Sequence, residues 1–349
     1  VGLLSQNHVG DKPHRLALLT ALAALLYVGG GVGMAYVAGF EAVWRTVRHP
    51  SWPWLVASLC GVVLAFAGYY FGYRGVGKIE GGPDDLSHGD RLAVVAAGFG
   101  GFLAHGGTGI DKDVMRAAGG SEREAKVRVA LLGGLEHGVL AIPCSVAGMV
   151  LVIEGIDKPP SDFTIPWAIG PAIGFAVAFW AAERYRDRLR GRGGIRERLS
   201  IGLDATHLIW TAFRLPLRYA GANFGMLAYW LADMAALWAG MAAFGFHMNG
   251  ASEMVAFGTA MIVTRRTGPL GGAGILGVAL APTLWYSGAP WAAAVLGTFS
   301  YRFFAIWLPQ PLSFLMLPRL RRILESSEDT ASAKTRGVAE KTDEPALQR

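Results

Sequence analysis

The chain has 349 residues, 52% of them hydrophobic and only 17% charged, with a formal net charge of +6. A soluble domain carries about 25% charge, so this composition excludes an ordinary soluble domain. The basic excess is gathered in one loop between apolar runs, which excludes nucleic acid as the implied partner and points to a membrane surface.

Leu16 to Phe40 contains no Asp, Glu, Lys or Arg. Apolar runs of roughly 17–25 residues cross a bilayer as helices. This one has no small-residue cleavage site leading into a soluble domain, and reads as the first membrane helix, not a signal peptide. Pro53 to Gly72 and Thr164 to Ala182 are also uncharged. Period-two alternation is absent, so helices and not a closed barrel must satisfy the backbone. Cys60 and Cys144 lie inside apolar runs, without metal spacing or a disulfide framework, and read as core residues. No cofactor or metal is implied.

Seven arginines (Arg184, Arg186, Arg188, Arg190, Arg192, Arg196 and Arg198) face three acids between Ala182 and Ser200. The positive-inside bias places that loop in the cytoplasm. The loop from Glu154 to Asp162 holds three acids and one lysine, which suits the outside. Lys12 and Arg15 place the N-terminus inside; Arg319, Arg321 and Arg322 do the same for the C-terminus. Arg45 and Arg48 run against this pattern. The expected organisation is a cytoplasmic segment over 1–15, a transmembrane domain over 16–324 and a disordered cytoplasmic tail over 325–349.

After the arginine loop, Asp204, His207, Thr211, Arg214 and Arg218 recur at helical spacing on one polar face. Ile201, Leu208, Ile209, Trp210, Phe213 and Leu217 fill much of the remainder. Two placements fit: an amphipathic helix in the membrane interface, or a helix packed on the bundle. Pro216 marks its end or a kink.

Two segments break the spanning pattern. Leu92 to Ala104 is apolar but too short to cross, and stops at a glycine cluster containing Gly106, Gly107 and Gly109. A short polar helix follows, and Ser121 with Glu124 forms a capping box that opens the next helix. Met254 to Thr264 is again too short, ends at Arg265 and Arg266, and meets a second cluster of Gly268, Gly271, Gly272, Gly274 and Gly277 before resuming as Ile275 to Tyr286. Both read as half-helix, glycine turn, half-helix. Such backbone persists at membrane depth only inside protein or along a watery cavity, and short glycine-interrupted segments in both halves of a transporter mark its substrate site. The chain holds 48 glycines, about twice the usual share, and close helix packing is the competing cause. A faint repeat links the halves: Gly109 and Gly120 are eleven apart, as are Gly277 and Gly288, and Ala125 and Ala293 follow in turn.

Residues 107–141 (GTGIDKDVMRAAGGSEREAKVRVALLGGLEHGVLA) and 267–309 (TGPLGGAGILGVALAPTLWYSGAPWAAAVLGTFSYRFFAIWLP) resemble the transmembrane region of the lysylphosphatidylglycerol synthase family, flippase-like integral membrane proteins. The spacing of the apolar runs extends the resemblance over roughly Leu16 to Leu324. It implies an all-α, polytopic transmembrane helix bundle with two re-entrant or interrupted segments, and movement of lipid. The sequence carries no soluble aminoacyl-transferase domain, so lysyl transfer onto lipid is not expected.

Few ionisable residues lie deep in the apolar runs: Glu136 and His137, Asp233, and Arg302. A charge at the bilayer centre costs about 2.5–3.5 kcal/mol on insertion scales, which makes each a functional candidate; an ion pair that locks helices is the alternative. Arg265 and Arg266 beside the second turn, and Lys112 and Arg116 beside the first, would suit an anionic phosphate if those turns re-enter. The expected function is translocation of a phospholipid or lipid-linked anionic substrate, with Glu136, His137 and Asp233 as candidate proton carriers. A membrane-embedded enzyme using Glu136 and His137 as acid and base is one alternative. A non-catalytic partner in envelope lipid synthesis is another. Membrane lipids are the expected partners, with envelope-synthesis proteins or a second copy of the chain as further candidates.

Overall fold

The structure, a computed structural model, describes residues 13–82, 86–99, 107–191, 193–265 and 275–325. These residues form an all-α bundle, without a strand among them. The helices are α1 (Pro13–Ala38), α2 (Phe40–Val47), α3 (Trp52–Gly77), α4 (His88–Phe99), α5 (Gly107–Ala117) and α6 (Glu122–Glu154). They continue as α7 (Ser161–Leu189), α8 (Gly194–Arg214), α9 (Ala220–Ala242), α10 (Gly250–Arg265), α11 (Ile275–Tyr286) and α12 (Trp291–Glu325). Within α12 a π-helical turn, Phe303–Trp307, follows Arg302.

Four of the described helices, α3, α6, α7 and α12, are long and apolar enough to cross a membrane. Their outward faces stay apolar. On α7, Ile165, Ile169, Ile173, Val177 and Trp180 recur about one helical turn apart and are all exposed. Leu18, Leu25, Val28 and Val32 do the same on α1. Exposed apolar stripes of this length do not survive in water, and they match a lipid environment.

Contacts between helix ends define two ends of the bundle. At the basic end the start of α6 meets α8, where Arg123 donates to Asp204 at 2.7 Å and Arg190 of the α7–α8 turn donates to the same carboxyl at 3.0 Å. The end of α3 is capped there by Arg128, whose guanidinium donates to the Ile79 carbonyl at 2.6 Å. The start of α4 is tied to α12 by Arg319, which donates to Asp90 at 2.7 Å. At the opposite end the Ser51 amide donates to the Ala243 carbonyl at 2.7 Å, joining the start of α3 to the end of α9. The Ser252 hydroxyl donates to the Lys158 carbonyl at 2.6 Å, and the Tyr286 hydroxyl donates to Asp162 at 3.3 Å. The start of α10 and the end of α11 therefore sit on the α6–α7 loop and the first turn of α7.

Two helical hairpins follow from this placement. The α4–α5 pair leaves and returns at the basic end, and the α10–α11 pair leaves and returns at the opposite end. At about 1.5 Å per residue their arms reach roughly 16–24 Å, short of a hydrocarbon core of ~30 Å. The glycine clusters divide unevenly. Gly107 and Gly109 belong to α5 and Gly277 to α11, so the non-helical turn expected over 106–109 does not include 107–109. The first turn of a helix has amides without intrahelical acceptors, which is where glycine disturbs the ladder least. Gly106, Arg266, Gly268, Gly271, Gly272 and Gly274 lie outside the described residues.

The centre of the bundle is the antiparallel pair α3 and α9. Gly61, Gly68 and Gly75, one every seven residues, face Ala236, Tyr229 and Ala222; a Cβ there would stand 2.9, 2.5 and 2.1 Å from the facing atoms. Backbones approach this closely only where side chains are absent, the packing that apolar solvent favours in place of hydrophobic burial.

Around this pair the fold repeats with inverted direction. The interval from Trp52 to Ala220, the first residues of α3 and α9, equals that from Gly107 to Ile275, the first residues of α5 and α11. It is one residue shorter than the interval from Glu122 to Trp291, which open α6 and α12. The same interval relates Gly109 to Gly277, Gly120 to Gly288 and Ala125 to Ala293. The unit α3–α4–α5–α6 thus recurs as α9–α10–α11–α12, upside down.

The polar face of α8 turns toward the bundle at Asp204 and Thr211, while Arg214 at its end is exposed. Asp204 is buried between Arg123 and Arg190, and Thr211 donates to Glu80 at 3.0 Å. Two guanidiniums outweigh what solvent offers one carboxylate, and they pin α8 to α6 and α7. Arg45 and Arg48, which opposed the charge pattern, lie on or next to α2, a short helix with Arg48 stacked 4.9 Å over the Trp44 ring. That pairing suits a helix in the interface, where guanidinium and indole reach both phases.

Candidate functional site

Several of the buried ionisable side chains gather into two clusters, one in each unit. The first draws one residue from each of the four helices of its unit: Tyr73 from α3, Arg91 from α4, Asp111 from α5 and Glu136 from α6. Tyr73, Arg91 and Glu136 are 2%, 4% and 3% exposed. The Tyr73 hydroxyl faces the Asp111 carboxyl and lies within reach of the Arg91 charge. Asp111 in turn feels the charge of Glu136. Arg91 also donates to the Leu86 carbonyl at 3.1 Å. Two carboxyls share this interior with one guanidinium.

The second cluster joins α9 to α12. Asp233 and Arg302 are 6% and 7% exposed, so both face the bundle interior, as their isolation in apolar runs requires. They meet at Tyr301: its hydroxyl donates to Asp233 at 2.7 Å, and the Arg302 guanidinium lies 5.8 Å from its ring centre. Tyr27 of α1 approaches the Arg302 charge and donates to the Phe299 carbonyl. The π-helical turn begins directly after Arg302, a widening of the helix that often accompanies a functional side chain.

An aromatic chain connects the clusters. The Trp230 indole donates to the Glu136 carbonyl at 2.7 Å. Trp230 packs 5.9 Å from Phe257, and Phe257 packs 6.5 Å from Tyr301. The path thus runs from α6 through α9 and α10 to α12, with ring planes crossing at steep angles, an arrangement that aromatic quadrupoles favour.

Other predicted residues fall elsewhere. Lys112 and Arg116 sit at the basic end around Glu122, at 3.5 and 3.3 Å, with Lys126 3.1 Å from the same carboxyl. Their side chains are partly exposed, so they form a surface ion network and not a lining of the buried clusters. The Ser121 cap causes this, because it starts α6 with Glu122 directly opposite the end of α5. His137 bonds the Gly133 carbonyl of the preceding turn at 2.6 Å. Adjacent residues on a helix point about 100° apart, so Glu136 and His137 do not form an acid–base pair. Arg265 closes α10, and its side chain is outside the described residues.

Tyr73, Arg91, Asp111 and Tyr301 were not singled out from the sequence. Arg91 and Asp111 are hidden in the polar runs HGDR and DKD, and only the burial of α4 and α5 separates them from their neighbours. Among the described residues no group of His, Cys, Asp and Glu is placed to hold a metal ion. What the clusters offer is charge and hydrogen bonding inside an apolar bundle, reached by two hairpins from opposite ends. The chain matches no model of a known protein family, and no curated protein matches it.

Proposed function

We propose that the chain translocates a phospholipid or a lipid-linked anionic substrate across a bacterial or archaeal cytoplasmic membrane. The observation that carries this reading is the inverted repeat, with one short hairpin entering from each end and a buried polar cluster in each unit. Inverted repeats with broken helices are the architecture of alternating access, in which one half moves against the other around a site between them. Arg302 supplies a positive charge for a phosphate, and the apolar outer faces leave acyl chains in the bilayer. The basic end, with the arginine loop and Arg319, is cytoplasmic by the positive-inside bias. The resemblance of residues 107–141 and 267–309 to the flippase-like transmembrane region of lysylphosphatidylglycerol synthases supports the same substrate class. The acid–base alternative loses its pair, since Glu136 and His137 diverge.

The purified chain in liposomes carrying a fluorescent phospholipid in both leaflets tests this. A membrane-impermeant quencher should bleach the label completely in liposomes with wild-type protein, and only the outer leaflet in empty liposomes or those with Arg302→Gln. Bleaching confined to the outer leaflet with wild type, for neutral and anionic lipids alike, would overturn the proposal.

A further inference from the structure

Besides Asp204, which two arginines hold, another buried carboxyl belongs to neither cluster. Glu253 lies in the first turn of α10 with no exposure at all, and neither of its oxygens has a hydrogen-bond partner among the described residues. In the half of each surrounding element nearest this end, the ionisable groups are Cys144 and Glu154 on α6, Asp162 on α7, Asp233 on α9 and Tyr286 on α11. Asp157 and Lys158 lie on the α6–α7 loop, and His247, packed on Trp54 and Trp238, lies on the α9–α10 loop. No charge among the described residues acts on Glu253. Cys144 is occupied with the Met254 carbonyl, Asp162 with Tyr286, and Asp233 with Tyr301.

An ionised carboxylate with no partner in such a place costs several kcal/mol, and in practice the group binds a proton instead. The turn that holds Glu253 borders the exposed α6–α7 loop. Ser252, beside it, bonds the exposed loop at Lys158, and Gly288 at the end of α11 packs on the Lys158 side chain. Ser287, next to Gly288, is a second buried side chain whose hydroxyl has no partner among the described residues. The base of this hairpin therefore keeps two polar groups that closure leaves unsatisfied and that parting of the hairpin from the loop would hydrate.

We propose that Glu253 is a proton-binding site that couples to movement of the α10–α11 hairpin. With the hairpin parted from the α6–α7 loop, the carboxylate meets water at the opposite end and takes up one proton to become the neutral acid. The neutral acid enters the apolar interior as the hairpin closes, and the proton leaves when the carboxyl is next hydrated. The site deepens the translocator reading by naming its driving ion, and rests on that reading only for what the proton drives.

Two measurements on the full chain separate this site from that reading. Infrared spectra of the purified protein should contain a protonated-carboxyl band at neutral pH that shifts in heavy water and is lost in Glu253→Gln. Hydrogen exchange read by mass spectrometry should open residues 250–265 as pH rises, beyond the intrinsic rate and beyond α3 and α9. That dependence should be absent in Glu253→Gln. Where Gln fails to fold, Glu253→Met, which matches its bulk without a polar group, serves as the second variant. Identical spectra and identical exchange profiles in wild type and variant would overturn the proposal, whether or not the protein moves lipid. If lipid moves but a pH gradient changes its rate equally in wild type and variant, the coupling role fails while translocation stands.

Discussion

At the scale of single residues, the Asp233–Tyr301–Arg302 contact is the sharpest test of why charge is kept inside an apolar bundle. Removing one donor from a buried carboxyl leaves it undersatisfied, at a cost of about 1–3 kcal/mol. Tyr301→Phe should therefore lower the melting temperature measurably. Replacing Asp233 and Arg302 together by Leu and Met removes both charges and should recover stability, as apolar replacement of buried ion pairs often does. Retained melting temperature with lost lipid movement in that double variant marks the pair as functional; retained movement marks it as a helix lock. A different ionisable site governs the pH response at the basic end. Partial burial works against the Asp90 charge, but hydrogen bonds from Ser87 and Arg319 outweigh it and hold the carboxyl below its ordinary range. A depressed carboxyl stabilises the fold above its unfolded pKa, and that contribution is lost as pH falls through the folded value. Acid should loosen α4 from α12 in wild type, read by hydrogen exchange over 88–99, and Asp90→Asn should flatten the response.

At the scale of elements, glycine acts in opposite ways on α1 and α3. Nothing lies within 4 Å of a Cβ placed on Gly29, while one on Gly75 would overlap the α9 backbone at 2.1 Å. Gly29→Ala should stabilise α1 by up to about 1 kcal/mol through helix propensity. Gly75→Ala should destabilise by about 1–3 kcal/mol, as overpacking does. Melting curves of the two single variants in one detergent check the difference in sign. The elements themselves were legible because apolar runs of spanning length have few readings: Pro53 to Gly72 lies within α3, and Thr164 to Ala182 within α7. The glycine clusters were less legible, because glycine serves turns, helix starts and close packing alike. Asp233 and Arg302 stood out against long apolar surroundings. Glu253 did not, because Asn249, Gly250 and Ser252 beside it look like an ordinary polar helix start. Its burial comes from the helices packed on α10, a tertiary effect with no local trace.

At the scale of the whole molecule, the inversion of the second unit has a source in α7, the span least covered by protein. The first unit begins and finishes at the opposite end, since α3 descends, its hairpin turns back, and α6 climbs again. A direct join to the second unit would place α9 parallel to α3. The one added passage, α7, makes the count of end-to-end passages odd, and α8 lies across the basic end without changing it. Parity, then, is what α7 contributes: it is the least buried of the four spans, yet its presence sets the direction of everything after it. Sequence drift along its lipid-facing stripe changes little. Loss of the passage itself would deny α9 the antiparallel register on which Gly61, Gly68 and Gly75 depend, so α7 is constrained by number where the core helices are constrained by shape.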